Sequence, residues 1–480
     1  VGKHDHRKAK EARQMKTNKQ NALAAVIAAG LMGAPMTVMA QSDQSNNLAT
    51  VVQQAIESNP EVQANWHAFV SSGHDVDVAR GGYLPTVDAV GRVGQESRNY
   101  GVNEDYSVAA AEVSLTQMIY DGFFTRSEVE RLDNAELVRF YELLGSAEDI
   151  ALEALTAYQD VLRQRELVEL AQESYQEHLD VKAQIDESAQ AGVARGADLE
   201  QINARVALSE SNLVNEISNL HDVSARYLRI VGQSPADRLA PITLDDSALA
   251  PDVAEALKLA YEGNPSFRAA LRDIESSRAA VQSERAAYQP RLNLNASYGV
   301  DNRDDFSVRE NQRDARIGLE LRMNIYNGGS DRAAIKSAAE QLNVAKSQRD
   351  RACVNMRQTL QIAYNDVRKL SEQVETLNTY RLSADRVRVA YRNQFQIGQR
   401  TLLDVLDSEN EFFRASRSFV NAQADRRVAV ARALAASGRL LESLDVRRDG
   451  LPSLADLGAE RLPVDPESAC PSVDIAMSLP

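Results

Sequence analysis

Aromatic side chains make up only 5% of this chain, and tryptophan occurs once, as Trp66. That is not the composition of an ordinary globular enzyme. The 13 prolines and 23 glycines are thinly spread over 480 residues, while Ala, Gln, Glu, Arg and Leu fill the middle of each half, a bias that favours long helices. Six histidines, at positions 4, 6, 67, 74, 178 and 221, form no H-E-x-x-H motif and no Cys/His cluster, so the sequence offers no metal centre. His67 and His74 can share a helix face and read as surface residues. No G-x-x-x-x-G-K-[ST] loop is present, so energy for any transport must come from a partner. No catalytic, cofactor or metal site emerges, and the chain reads as a non-enzyme. Beyond the N-terminal segment no run of 18 apolar residues occurs, so membrane insertion, if any, must use strands. The two cysteines, Cys353 in a helical stretch and Cys470 in a polar tail, allow a disulfide without requiring one.

What is present begins with a targeting signal. Lys16 and Lys19 precede an apolar run from Ala22 to Met32, and Val38-Met39-Ala40 ends in a small-residue cleavage pattern. Residues 1–40 thus read as a secretory signal peptide behind upstream sequence, with Met15 as the better start. No cysteine follows the cleavage point, which implies no lipid anchor. Without residues 1–40 the chain holds 47 Lys/Arg against 67 Asp/Glu, a net charge of −20. An acidic exported chain is a poor ligand for nucleic acid.

The remainder is one unit written twice. Asn59-Pro60 recurs as Asn264-Pro265, and Tyr83-Leu84-Pro85 as Tyr288-Gln289-Pro290, both 205 residues on. Ile119-Tyr120-Asp121-Gly122 recurs as Ile325-Tyr326-Asn327-Gly328 at 206. The offset 206 also aligns Gly192, Asp198 and Gly232 with Gly398, Asp404 and Gly438. Matches in one order with a single one-residue shift mark an internal duplication. The predicted division is residues 41–232, a linker over 233–250, a second unit over 251–440 and a polar tail over 441–480, expected from about Arg447 to Pro480 to be mostly irregular and on the outside.

Each unit reads as helix, strand, strand, long helix, turn, shorter helix. Strands are predicted near 86–98, 106–120, 290–300 and 314–326. In the last, Ile317, Leu319, Leu321, Met323 and Ile325 alternate with Gly318, Glu320, Arg322 and Asn324; Leu292, Leu294, Ala296, Tyr298 and Val300 alternate in the same way with polar residues. One face of the sheet is therefore apolar and the other polar. Segments of about ten residues suit tilted membrane strands. Aromatics cluster near their ends, at Tyr83, Tyr106, Tyr120, Phe123, Phe124, Tyr288, Phe306 and Tyr326, as in interfacial girdles. The intervening loops, 95–105 and 301–313, are polar. Four strands cannot close a barrel, and an open edge in lipid leaves backbone groups unpaired. The sheet must be shared with other copies; three would give twelve strands around a polar lumen.

The long helices carry a 4-3 seam, Ala363, Val367, Leu370, Val374, Leu377, Arg381, Ala384, Arg388, Tyr391 and Phe395, which is largely apolar, as in a coiled coil. A helix over 123–191 would run ~100 Å, and helices over 48–83 and 198–232 ~50 Å each.

These features resemble the TolC outer-membrane efflux family over nearly the whole chain after residue 40. The duplicated Asn-Pro and Y-x-P elements, the I-Y-[DN]-G strand exits and the run Phe395-Gln-Ile-Gly-Gln-Arg-Thr-Leu-Leu-Asp-Val-Leu-Asp407 carry the likeness. The resemblance implies a mainly α protein with a membrane β-barrel, a homotrimer whose twelve strands form one barrel above a coaxial α-helical tunnel in the periplasm. It implies a periplasmic adaptor and an inner-membrane ABC transporter or proton-driven pump as partners. The general look is nearest the branch serving type I secretion, including adhesin export; drug or metal efflux on the same fold, or a soluble periplasmic coiled-coil scaffold, are the competing readings. At the tips the resemblance gives Asp198 and Arg400 as a tether between neighbouring hairpins, and Asp404 and Asp407 as acidic rings, with Gly192 and Gly398 in the turns. Phe395 departs from the family by replacing a tyrosine whose hydroxyl joins the closing network. The residues themselves allow a simpler role for Asp198 and Asp404, as helix N-caps after a glycine turn.

Overall fold

A computed structural model describes residues 47–99, 101, 103–192, 195–244, 246–305, 308–459 and 466–470. The expected signal peptide over 1–40 lies outside these residues, as do Phe306 and the side chain of Tyr106. The described chain forms α1 (Leu48–Ser58), α2 (Pro60–Gly81), β1 (Thr86–Asn99), β2 (Asn103–Tyr120), α3 (Phe124–Gln190) and α4 (Gly196–Val231). It repeats as α5 (Val253–Gly263), α6 (Pro265–Arg285), β3 (Arg291–Asp305), β4 (Val308–Arg322), α7 (Ser330–Gln396) and α8 (Leu402–Ala436), and ends with the short helices α9 (Leu440–Ser443) and α10 (Pro466–Ala469). Helices α3 and α7 are each 67 residues long and start 206 residues apart, at 124 and 330, so the duplication is structural.

The repeated dipeptides have local causes. Asn59 ends α1 and opens α2: its side chain accepts the N–H of Glu61 at 2.9 Å, with Pro60 in the first turn. Asn264 accepts the N–H of Phe267 at 3.0 Å ahead of Pro265. An Asn cap followed by Pro, which needs no N–H partner there, fixes a helix start. The single ~50 Å helix expected over 48–83 is for this reason broken at Asn59. At the strand exit, Asp121 accepts both the N–H (2.8 Å) and the hydroxyl (2.6 Å) of Thr125, and Gly122 turns with φ +75° where a Cβ would lie 2.3 Å from Gln289 Cβ. Only glycine fits that close approach.

The four strands form one antiparallel sheet in the order β1-β2-β3-β4, leaving β1 and β4 as edges. Cross-strand register carries the alternation through the whole sheet. Val87, Leu115, Ala296 and Ile317 make one row, and Ala89, Val113, Tyr298 and Ala315 the next. Between them on the opposite face run Asp88, Ser114, Ser297 and Arg316. The apolar face is uncovered: Ile317 and Leu319 are 78% and 68% exposed.

Two strand boundaries differ from expectation. β3 and β4 pair through Asp305 and Val308, and β1 and β2 through Asn99 and Asn103, so most of the predicted polar loops is hairpin; charged residues at a solvent-exposed ladder end still pair their backbones. At the other end β4 stops at Arg322, opposite Arg291, rather than near residue 326. The ladder runs out there because Pro290, next in line on β3, has no N–H to donate. Met323, Ile325 and Tyr326 lie past it and are exposed.

Below the sheet, a first apolar cluster gathers Val51, Val52, Ile56, Tyr141, Leu155, Tyr158 and Tyr227 from α1, α3 and α4. A second joins Tyr261, Phe267, Met356 and Leu360 of α5, α6 and α7. Past Ser443 the described segment to residue 459 is irregular, as expected, but it is docked on the core rather than lying free on the outside. Leu441, Leu444, Leu451, Leu454 and Leu457 pack on the first cluster, and the Arg448 guanidinium lies 4.2 Å over the Trp66 ring. Apolar residues every three to seven positions suffice to dock a segment whose average is polar. Residues 460–465 and 471–480 lie outside the described set.

One contact ties this segment to α3. Glu148 is buried, its Oε1 accepting the Leu441 N–H at 3.4 Å while Oε2 has no hydrogen-bond partner among the described residues. Burial pushes its carboxyl up to about 8 from 4.5, with backbone N–H groups of Leu441 and Leu440 opposing. A raised acid binds its proton more tightly when folded, so this contribution is complete below pH 4.5 and lost as pH rises through about 8. Glu148→Gln is expected to flatten the fall in melting temperature between pH 5 and pH 9; an unchanged slope contradicts this account of Glu148. Leu319→Arg, on the uncovered apolar face, is expected to cost ~2–4 kcal/mol if that face meets lipid at mid-depth, lowering the amount recovered from membranes; wild-type recovery would count against lipid contact.

Candidate functional site

The two helical hairpins, α3/α4 and α7/α8, end in turns built alike. Gly192 and Gly398 adopt left-handed φ of +72° and +75°, the conformation glycine permits at a helix end. Arg195 and Thr401 then take the N-cap positions, and Asp198 and Asp404 stand three residues later. Asp404 completes a capping box: its carboxylate accepts the Thr401 N–H at 3.0 Å and hydroxyl at 2.8 Å, and its own N–H donates to Thr401 Oγ1 at 3.3 Å. Among the described residues, Asp198 accepts the Arg195 N–H alone, at 3.4 Å. Neither aspartate is therefore the N-cap; each serves the cap from the third helical position. The Thr401 N–H, then its hydroxyl, then the Arg400 charge hold the Asp404 carboxyl below its usual range, so it stays ionised well into acid.

Within one chain the other predicted tip residues find separate partners. Arg400 donates from Nε to Gln394 Oε1 at 2.9 Å and lies 4.1 Å over the Tyr391 ring. No hydrogen bond or ion pair joins it to Asp198 among the described residues. Asp407 pairs with Arg205 of α4 at 3.1 Å. Phe395 packs against a third apolar cluster, of Val181, Ile185, Ile202, Leu402, Val405 and Leu406. Its ring is thus part of the packing that holds the two hairpin ends together.

The Arg205–Asp407 pair is the lowest of several ionic links between the hairpins. Arg392 of α7 bridges Glu177 of α3 and, at 2.8 Å, Glu409 of α8. Arg417 of α8 meets Glu216 of α4 at 2.6 Å, and Gln164 of α3 donates to the same carboxylate at 2.5 Å. Arg163 of α3 reaches Asp425 of α8 at 3.0 Å. Glu409 is buried, which pushes its carboxyl up, while Arg392 and Arg388 pull it back. Sequence reasoning missed these partners. The one signal was the pair of arginines inside the 4-3 seam: Arg381 and Arg388 lie over Phe419 and Phe412 at 4.6 and 4.1 Å, stacked cations in place of aliphatic knobs. Of the described histidines, His178 is buried with Nδ1 2.6 Å from the Ser174 carbonyl. Among the described residues no group of His, Cys, Asp and Glu could hold a metal.

The arrangement is therefore a matched pair of long antiparallel helical hairpins below an open four-stranded sheet, with charged residues at the hairpin tips. The family model for outer membrane efflux proteins matches residues 51–233 and 256–439, and the chain belongs to that family of channels, which are not enzymes, in the outer membrane. It is 24% identical over 423 residues to the outer membrane efflux protein BepC of Brucella suis, covering 86% of this chain and 90% of the relative. With the outer membrane protein TolC of Escherichia coli it shares 23% over 420 residues, 82% of each. The proteases secretion protein PrtF of Dickeya chrysanthemi is 20% identical over 408 residues, 81% of this chain and 87% of PrtF. The fold also matches the Campylobacter jejuni CmeC outer membrane channel with a TM-score of 0.73 at 14% identity, over 82% of this chain and 86% of CmeC.

The ionic links differ in depth, and so should their worth. Asp407→Ala removes a largely exposed partner and is expected to cost within ~1 kcal/mol. Arg392→Ala leaves buried Glu409 without its nearest cation and is expected to cost ~1–3 kcal/mol, less than a fully buried pair because the arginine is partly solvated. Thermal unfolding of the detergent-solubilised protein reads both; equal small losses would show that Glu409 is not held by Arg392.

Proposed function

We propose that the chain is the outer-membrane conduit of a tripartite type I secretion system, a homotrimer that passes a protein substrate from an inner-membrane ABC transporter through a periplasmic adaptor. The observation that carries the trimer is the sheet: four strands, an uncovered apolar face and two unpaired edges, β1 and β4. Twelve strands from three copies would pair every edge and line a lumen with the polar face. Protein cargo rather than drug or metal efflux is supported by the likeness to PrtF, whose name records protease secretion, and by the lack of a cysteine after the expected cleavage site. The likeness to BepC, named for efflux, supports the other cargo class, with a proton-driven pump in place of the ABC transporter. Crosslinking in cells followed by identification of the inner-membrane partner decides between them: an ABC transporter with its adaptor supports protein secretion, and a proton-driven pump overturns it.

In this reading the hairpin tips close the periplasmic end. One carboxylate oxygen of Asp198 is free of the cap, and Arg400 is exposed at the other turn, which supports a tether between adjacent hairpins in the trimer. Three copies of Asp404 and of Asp407 would surround the axis, the latter shared with Arg205, giving a negative potential that favours cations. Each exposed tether contributes only ~0–1 kcal/mol; three together would total ~1–3 kcal/mol, enough to shift an opening equilibrium severalfold. Arg400→Ser and Asp198→Ala should each raise single-channel conductance in planar bilayers, and the double variant should add less than their sum. Wild-type conductance in all three variants would retire the tether.

A further inference from the structure

The last described residues are held to the second half of the molecule by a covalent bond. Cys470 is bridged to Cys353 of α7, their Cα atoms 5.8 Å apart and 117 residues separate in sequence. Both cysteines are buried, at 1% and 5% exposure, beside Met356 and Leu360 in the second apolar cluster. Arg357, one turn along α7, donates from Nη2 to the Cys470 carbonyl at 2.8 Å. Upstream, the same C-terminal segment is docked on the first cluster through Leu451, Leu454 and Leu457. The segment therefore touches the cores of both halves.

The stretch that reaches the second core is short. Helix α10 has 4 residues, far below the length at which a helix persists alone. Among the described side chains at this end, Ala469 and the following Cys470 are buried; both are small and remove little apolar surface from water, while ordering the backbone costs entropy at every residue. A bridge across a long loop supplies what those contacts lack. It also lands where α7 is best anchored: of its six buried residues, Cys353, Met356, Leu360 and Ala363 fall within one short stretch.

We propose that Cys353 and Cys470 form an oxidative staple, closed by a disulfide-bearing oxidant after export, that straps the C-terminal segment across the two cores and pins α7 to the second. One cysteine thiolate attacks the oxidant's disulfide and forms a mixed disulfide. The other then displaces the oxidant's sulfur, closing the Cys353–Cys470 bond. The two thiol protons and the two electrons end on the oxidant, which leaves as a dithiol. Because the closed sulfurs are buried, the exchange takes place while the tail is still open. The proposal is independent of cargo and of the tip tether.

Protein rapidly quenched with a thiol-alkylating maleimide should show no free thiol before reduction and two after reduction under denaturing conditions. Hydrogen exchange on the detergent-extracted protein should be roughly tenfold or more faster over 466–470 in Cys470→Ser than in wild type, with exchange over α1 unchanged. Wild type reduced after brief unfolding and then refolded under reductant should match the variant, which keeps the test decisive should either serine variant accumulate poorly. Two free thiols in freshly quenched wild type, or equal protection of 466–470 with and without the bridge, would overturn the staple.

Discussion

The hydrogen-bonding demand of an open sheet governs this molecule. Strands β1 and β4 each present an unpaired ladder, and the apolar face they border is left bare by the rest of the chain, with Ile317 at 78% exposure. Water could satisfy the ladders but not the face; lipid could cover the face but not the ladders. Both demands are met together only when further strands complete the sheet inside a membrane. The helices inherit the result, because each strand pair leads straight into a 67-residue helix whose position around any axis is set by the strand that feeds it.

Charge does the second part of the work. Long hairpins of modest apolar content could slide or splay, and the links between them are ionic and spaced along their length: Arg163–Asp425, Arg417–Glu216, Arg392 with Glu177 and Glu409, and Arg205–Asp407. Such links are worth little where exposed and more where a carboxylate is buried. Glu216 and Glu409 are buried, whereas Asp425 at the far end of the series and Asp407 nearest the tips are exposed, so the grip is firmest in the middle of the hairpins and weaker at the tips.

Much of this architecture was legible because it is periodic. The 206-residue offset located both long helices and both glycine turns, and alternation in 292–321 placed one apolar face before any register was known. The ends of elements were less legible. β4 was extended past Arg322 on the strength of Met323 and Ile325, since an apolar alternation does not reveal that Pro290 has ended the partner's ladder. The segment after Leu440 reads as an outer tail because its many Pro, Asp and other polar residues make its average polar, hiding Leu444, Leu451, Leu454 and Leu457. At the tips, the acidic residues are found by position, but the simpler alternative for Asp404, the N-cap itself, gives way to the box that Thr401 caps. The salt-linked partners of Arg392 could not be found at all, because which carboxylate faces an arginine on another helix depends on helix rotation and pairing rather than on local pattern.

Completion of the sheet by other copies is the claim on which the rest depends, and stoichiometry tests it most directly. Native mass spectrometry of the protein extracted from outer membranes in detergent should find three chains per particle, dissociating only on denaturation. Particles of a single chain, stable and folded in that detergent, would contradict it.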